Sequence, residues 1–413
     1  MGLMALLPVL ALYVGDRFAI SDPGELTWWT GLIYGATPLA AAICGPVWGA
    51  LGDRIGKKPM AIRANLAIGL TTAVMPFAET PMVLMLLRAV QGSLAGYVAP
   101  AMALVIQHTP DDRQGRTLAR MQVVMALGFG IGPLVGAELT LAIDMRALFW
   151  FTSAMALVSA LILWLLAREE RPEPMASTHR GVALLWHDFA AVGGQLFRNR
   201  AFVVLLLLIW LLRLGQNMLE PFIALFVEQL EPSAMLGAFC STEPETIAWT
   251  ISGAFSIVAF AQIVFTPLWG RGSDRFGPLR CLALLALVLG LVQVVLSFST
   301  TADTFLLLRF VAAAFMAGSM TLAYASVSTR VQPERRTLAF SMVQSCLQLG
   351  YAFGPVVGAR IAQIGASDQE ANLCLPFIAA GVFCMVAGFG MLWLRWRSSG
   401  FAKSVPSISA DRL

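Results

Sequence analysis

Pro46-Val-Trp48-Gly49-Ala-Leu-Gly-Asp53-Arg54-Ile-Gly56-Lys57-Lys58 returns, worn but recognisable, as Pro267-Leu-Trp269-Gly-Arg-Gly-Ser-Asp274-Arg275-Phe-Gly277. Asp53 and Asp274 stand 221 residues apart, and so do Arg88 and Arg309 in the repeated Leu-Arg pairs Leu87-Arg88 and Leu308-Arg309. Gly132-Pro133-Leu-Val-Gly136-Ala137 recurs as Gly354-Pro355-Val-Val-Gly358-Ala359, one residue further on in register. Three motifs held in register make the chain a duplicated unit.

What is duplicated is a set of apolar segments. Crossing the hydrocarbon of a bilayer takes about 20 mostly apolar residues. Such segments fall at 27–51, 59–78, 81–108, 117–142 and 146–167, and then at 201–227, 247–271, 279–299, 303–330, 337–364 and 372–397. A shorter run, 3–15, opens the chain, so two groups of six are expected. Hydrophobic residues make up 58% of the chain and charged residues 13%, against about 25% charged in a soluble domain. So few charges cannot coat a water-facing surface. An all-α membrane protein of twelve helices in two parallel six-helix repeats is the expected fold class, with a substrate site between the halves.

The first helix reads as cut short. Pro8-Val-Leu-Ala-Leu-Tyr-Val14 matches Pro221-Phe-Ile-Ala-Leu-Phe-Val227, yet only seven residues precede Pro8. A truncation or a start further upstream is the expected reason. The domain expectation is a first bundle over 1–167, a central cytoplasmic loop over 168–200 with a short surface helix near 181–197, a second bundle over 201–397, and a polar, unstructured cytoplasmic tail over 398–413. Lys and Arg gather in the segments joining the even to the odd helices and in the central loop. The opposite connections hold only Arg17 and Arg146. By the positive-inside rule both termini lie in the cytoplasm.

The six cysteines show neither CxxC nor Cys/His spacing, so neither a metal site nor a disulfide framework is expected, a Cys240–Cys374 bridge being the one pairing open to consideration. His108, His179 and His187 fall in or beside cytoplasmic loops and read as solvated. The apolar start lacks the basic region and small-residue cleavage site of a signal peptide. P-loop, HExxH, dinucleotide and catalytic-triad patterns are missing from the sequence, so a non-enzymatic, cofactor-free chain is expected.

The segment Gly49 to Lys58 resembles the loop signature G-x-L-x-D-R-x-G-R/K-R/K of the major facilitator superfamily, and the copy from Gly270 to Gly277 sits where that family carries its second, degenerate one. The resemblance implies a conformational latch of Gly49, Asp53, Arg54, Gly56, Lys57 and Lys58 with Asp274 and Arg275. Physically, the glycines allow a tight turn, Asp53 can accept from amides at a helix N-terminus, and the basic residues suit anionic lipid. Arg88-Ala-Val-Gln91-Gly92 resembles the family's R-x-x-q-G signature, which implies assistance in proton transfer; a structural hydrogen-bond link explains a membrane-buried arginine equally well. Gly128-Phe-Gly130-Ile-Gly132-Pro133-Leu-Val-Gly136 is similar to the family's antiporter signature G-x-x-x-G-P-x-x-G, although small residues at that spacing also make a packing seam.

Arg213, Asn217 and Glu220, at helical offsets of four and three, share a face with Gln216 beside it, next to a kink expected at Pro221. Glu220 is the candidate proton-coupling carboxylate, with Arg88, Arg213 and Arg309 as the other coupling candidates and Gln91, Gln216 and Asn217 as cavity candidates. An Arg213–Glu220 pair that merely holds the bundle is the alternative. Glu138 and Arg360 are expected to snorkel at helix ends.

Together with Pro8–Val14 and the Trp28-Trp29-Thr-Gly start of the second helix, these motifs make the chain similar to the drug:proton antiporter branch, of the MdtG-like and tetracycline-resistance-like kind. What the resemblance implies is a monomeric inner-membrane efflux transporter working by alternating access. Its partners are a small-molecule substrate, protons and membrane lipid, with no nucleic acid. Export of an endogenous metabolite such as a siderophore, uptake by proton symport, and a non-transporting sensor or scaffold remain as alternatives.

Overall fold

The computed structural model describes residues 2–96, 101–102, 104–105, 109–110, 114–167, 200–331, 336–364 and 372–402. The central loop with its expected surface helix, all three histidines and the tail beyond Ala402 lie outside these residues.

Among the described residues all the regular secondary structure is helical, apart from a single backbone bridge between Glu231 and Thr301. Helix α1 runs Gly2–Leu6, Leu7–Val9 and Leu10–Phe18 in succession, and is followed by α2 (Pro23–Ile55), α3 (Lys57–Phe77), α4 (Pro81–Leu94), α5 (Gln114–Ala142) and α6 (Met145–Leu166). The second set is α7 (Arg200–Val227), α8 (Glu243–Phe276), α9 (Pro278–Leu296), α10 (Ala302–Ser328), α11 (Arg336–Gln363) and α12 (Cys374–Ala402). Eight of these described helices are long and apolar enough to cross a membrane. Their outward faces are apolar: Leu161, Trp164, Leu165 and Leu166 of α6 are all more than half exposed, which only hydrocarbon tolerates.

The duplication read from sequence is repeated in local geometry. Trp48 donates its indole N–H to the Ser93 carbonyl at 2.5 Å, and Trp269 donates to the Ala314 carbonyl at 2.8 Å, each pair displaced by 221 residues. Gly56 (φ 114°) and Gly277 (φ 88°) turn the chain between the second and third helix of each half, a backbone that side-chain-bearing residues rarely adopt. Thr80 and Thr301 cap the fourth helices by accepting from Val83 N and Thr304 N, both at 3.3 Å. The first helix of each half breaks into a 3₁₀ turn at the matched prolines Pro8 and Pro221.

Three expectations are corrected. The fourth helix does not run unbroken to residue 108: α4 ends at Leu94, and Gly96 (φ 106°) leaves helical geometry. α10 has an interruption at the matching place, Ala317-Gly318, where the Trp269 ring packs so close that a Cβ on Gly318 would meet it at 2.5 Å. α12 does not stop at Arg397 but continues to Ala402, because nothing in Ser398-Ser-Gly-Phe-Ala breaks a helix as a proline would. Cys240 and Cys374, not expected to be bridged, are free thiols.

Each half has its own apolar core. Leu6, Leu10, Ile33, Leu84 and Phe149 centre the first. Leu205, Leu282, Leu289, Phe305 and Phe377 centre the second. The halves meet along α2 with α11 and α5 with α8. Gly31 and Gly35 let the α2 backbone lie against α11: a Cβ on Gly31 would stand 2.7 Å from the Pro355 carbonyl oxygen, and one on Gly35 would stand 2.5 Å from that of Ala352. Nearer the helix ends Gln363 donates to the Gly24 carbonyl at 3.0 Å, and the Arg360 guanidinium lies 3.8 Å from the Trp28 ring centroid. Arg360, exposed in the last turn of α11, thus reaches from one half to the other. These contacts all lie toward the Lys/Arg-poor end of the bundle.

Candidate transport site

Helix α7 carries the polar face into the bundle. Pro221 has no N–H to continue the helical ladder, so α-helical bonding stops at Asn217 and resumes only after the 3₁₀ turn Glu220–Phe222. The Asn217 amide bends back and donates to the Arg213 carbonyl at 2.7 Å. Arg213 donates from Nη1 to Gln216 Oε1 at 3.0 Å and stacks 4.1 Å from the centroid of the Tyr351 ring on α11. Glu220 thus takes no contact-distance ion pair with Arg213 among the described residues. Instead it lies within electrostatic reach of two guanidiniums, Arg309 and Arg213. Arg213 in the middle of α7 and Glu220 in the 3₁₀ turn at Pro221 are both half-buried.

Arg309, the repeat-mate of Arg88, is 2% exposed and donates from Nε to the Ala254 carbonyl of α8 at 3.4 Å. Arg88 is 4% exposed and donates from Nη1 to Gln91 Oε1 at 3.0 Å; Gln91 Nε2 in turn donates to Thr72 Oγ1 of α3 at 2.7 Å. The R-x-x-Q spacing is one helical turn, which is what lets the two side chains meet. Gly92 of the same signature sits where α4 presses on α2: its added Cβ would stand 2.1 Å from the Thr37 carbonyl oxygen. Gly92→Val is therefore expected to destabilise the first half by about 1–3 kcal/mol, seen as a lowered unfolding midpoint of the purified protein.

Tyr34 connects the two arginine systems. Its hydroxyl donates to the Leu7 carbonyl, and it lies in electrostatic reach of both Arg88 in its own half and Glu220 in the other. Tyr34, Tyr351 and Thr72 escaped the sequence reading. Tyr34 carried a signal, a phenol wedged between the seam glycines Gly31 and Gly35, whereas Thr72 carried none.

The other motif residues stand apart from this centre. Gly56 is buried in its turn, and Lys58 Nζ donates to the Trp164 carbonyl at the end of α6 at 2.9 Å, where the helix dipole favours a cation. Asp274 and Arg275 are exposed, Arg275 lying 5.2 Å from the Phe276 ring centroid. The side chains of Asp53 and Arg54, and the surroundings of Gly49, lie outside what is described. In α5, Pro133 is inside a continuous helix, and a Cβ on Gly136 would meet the Ala5 carbonyl oxygen of α1 at 2.4 Å. Gly358 packs on Met218 of α7 in the same manner. Both halves thus use this glycine to seat their first helix.

The sequence model of the Major Facilitator Superfamily matches residues 1–242 and 241–410, together nearly the whole chain. The chain belongs to this superfamily. It is 25% identical over 401 residues to an uncharacterized MFS-type transporter, YuxJ, of Bacillus subtilis, covering 97% of this chain and 96% of that one. It is 28% identical over 388 residues to the multidrug resistance protein MdtG of Citrobacter koseri, covering 92% and 87%. Among solved structures its fold is like that of the nucleoside transporter NupG (TM-score 0.76, 14% identity, covering 95% of each chain) and of a D-xylose–proton symporter (TM-score 0.68, 14% identity, 94% and 96%). The chain is accordingly a multi-pass membrane transporter of this superfamily, and its small-molecule traffic follows from that membership.

Proposed function

We propose that the protein exports a small amphipathic molecule across the bacterial inner membrane in exchange for protons. The observation that carries the reading is Glu220. It is a half-buried carboxylate in the 3₁₀ turn at Pro221, within electrostatic reach of Arg213 and Arg309 of the second half and of Tyr34 of the first. A carboxylate so placed alters the charge balance between the halves each time it gains or loses a proton, and this biases the equilibrium between two packings. The MdtG-named relatives and the antiporter signature support export as the direction.

The Lys/Arg-rich end faces the cytoplasm in this reading, with both termini there. The contacts from Gly24 to Gly35 with Ala352 to Gln363 then form an outer gate, shut in this conformation. Alternating access separates that seam while the opposite ends of the halves come together. Arg360→Ala removes a cation–π contact worth about 0.5–1 kcal/mol at an exposed site. It is expected to raise the outward-open population by up to about fivefold, read as spin-label distances between the outer ends of α2 and α11.

Proton flux in inverted vesicles tests the function. Addition of a transported compound should release a preformed acid-inside pH gradient, and compounds that leave it unchanged are not exchanged for protons. A second reading, export of an acidic endogenous metabolite, draws support from the excess of Arg88, Arg213 and Arg309 over Glu220. Among the described residues, buried Gln216 Nε2 and Arg213 Nε also find no acceptor, which an anionic substrate would supply. Competition between carboxylate-bearing and cationic compounds in the same vesicles separates the two.

A further inference from the structure

A cleft of about 380 Å³ opens at the Lys/Arg-rich end of the second half, away from the central site. Its polar lining is Arg280 at the start of α9, Thr329 and Arg330 just past α10, and Arg395 on α12; Phe276 and Leu279 make its apolar wall. Arg330 is anchored by donation from Nη1 to the Ser326 carbonyl at 2.7 Å, which fixes its guanidinium at the rim. Three arginines, Arg280, Arg330 and Arg395, line the cleft, and among the described residues its lining holds no carboxylate. The duplication does not demand this charge: at the 221-residue offset the first half has Pro59 and Thr109 in place of Arg280 and Arg330. Alongside, Phe389, Leu392, Trp393 and Trp396 of α12 are exposed, and Trp393 and Trp396 mark the depth of a membrane interface. Arg395 lies between them in sequence, so the cleft sits at headgroup level with an apolar track leading from it into the hydrocarbon.

We propose that this cleft holds the phosphate of an anionic phospholipid, its acyl chains lying along the exposed face of α12. Three guanidiniums around one recess match the geometry and charge of a phosphodiester.

The full-length protein in nanodiscs of equimolar phosphatidylglycerol and phosphatidylcholine, examined by native mass spectrometry, is expected to retain phosphatidylglycerol preferentially. Equal retention of the two lipids overturns the proposal without any variant being needed. Arg280→Gln with Arg330→Gln should weaken retention roughly 30-fold, at about 1 kcal/mol for each charge near the surface. Arg280→Lys with Arg330→Lys should keep most of it. Arg200→Gln with Arg271→Gln, which removes two exposed charges from the same end but outside the cleft, should change it little. An equal loss in that control pair reduces the effect to general surface charge and overturns the site. Inorganic phosphate or ATP binding at the cleft in lipid-free detergent, lost in the Arg280→Gln/Arg330→Gln variant while lipid retention persists, would identify a soluble phosphate as the ligand instead.

Discussion

Glu220→Gln is expected to abolish proton-driven accumulation while leaving passive exchange of substrate in place. One elementary charge moved through 100 mV is worth about 2.3 kcal/mol, so one coupled proton supports a concentration ratio of roughly 50-fold. With a neutral amide at 220 that ratio should fall to near one in energised vesicles. Counterflow of labelled against unlabelled substrate should continue, because glutamine preserves volume and most of the hydrogen bonding. The bundle itself should remain intact: Arg213 keeps Gln216 and Tyr351, and Arg309 keeps the Ala254 carbonyl. Undiminished uphill transport in this variant would remove Glu220 from the coupling step. Loss of counterflow together with uphill transport would instead make Glu220 a substrate-binding group.

Gly35→Val carries the second large effect. The new Cβ would have to share space with the Ala352 carbonyl oxygen 2.5 Å away and with Val356 Cγ2 at 3.1 Å. Both helices are packed on their own halves, so relief comes by separating α2 from α11. Overpacking of this kind costs about 1–3 kcal/mol, and it falls on the gate-shut state alone. The population ratio should therefore move about 5- to 150-fold toward the state in which the seam is parted. Spin labels at the outer ends of α2 and α11 should report the longer distance as dominant, and transport should slow because return to the shut state is now uphill. An unchanged distance distribution with normal transport would show that the seam is not part of the moving gate. Gly92→Val is the matched contrast. Its clash, with Thr37, lies within the first half, so it should lower stability without shifting that distance.

Much of the fold was legible in the chain because the bilayer simplifies the code. Where no water is present, backbone groups must be satisfied within helices, so apolar run length alone places the spans. Pro46–Lys58 and its copy at Pro267–Gly277 then fixed the duplication, and the matched indole bonds of Trp48 and Trp269 are its direct consequence. Arg88 with Gln91 was legible too, since one helical turn dictates that they meet. Arg213, Asn217 and Glu220 read as one face of a regular helix, a regularity that holds only as far as Asn217. Pro221 ends the α-helix at Asn217, turning Asn217 back on its own backbone and freeing Glu220 from the geometry of the preceding turns.

What only the tertiary structure decided concerns the relation between distant segments. Nothing in the spacing of Arg360 shows that it crosses to Trp28, because that contact joins side chains more than three hundred residues apart and depends on how two separately packed halves dock. The same holds for Tyr34, which becomes interesting only when Arg88 and Glu220 are brought to either side of it. The sequence by itself determined twelve helices, two halves and the buried charges, since these follow from local solvation and helical period. The tertiary structure decided which glycines form the seam, where the two halves touch and which charged groups act on Glu220, since these follow from close packing between elements that carry no sequence record of one another.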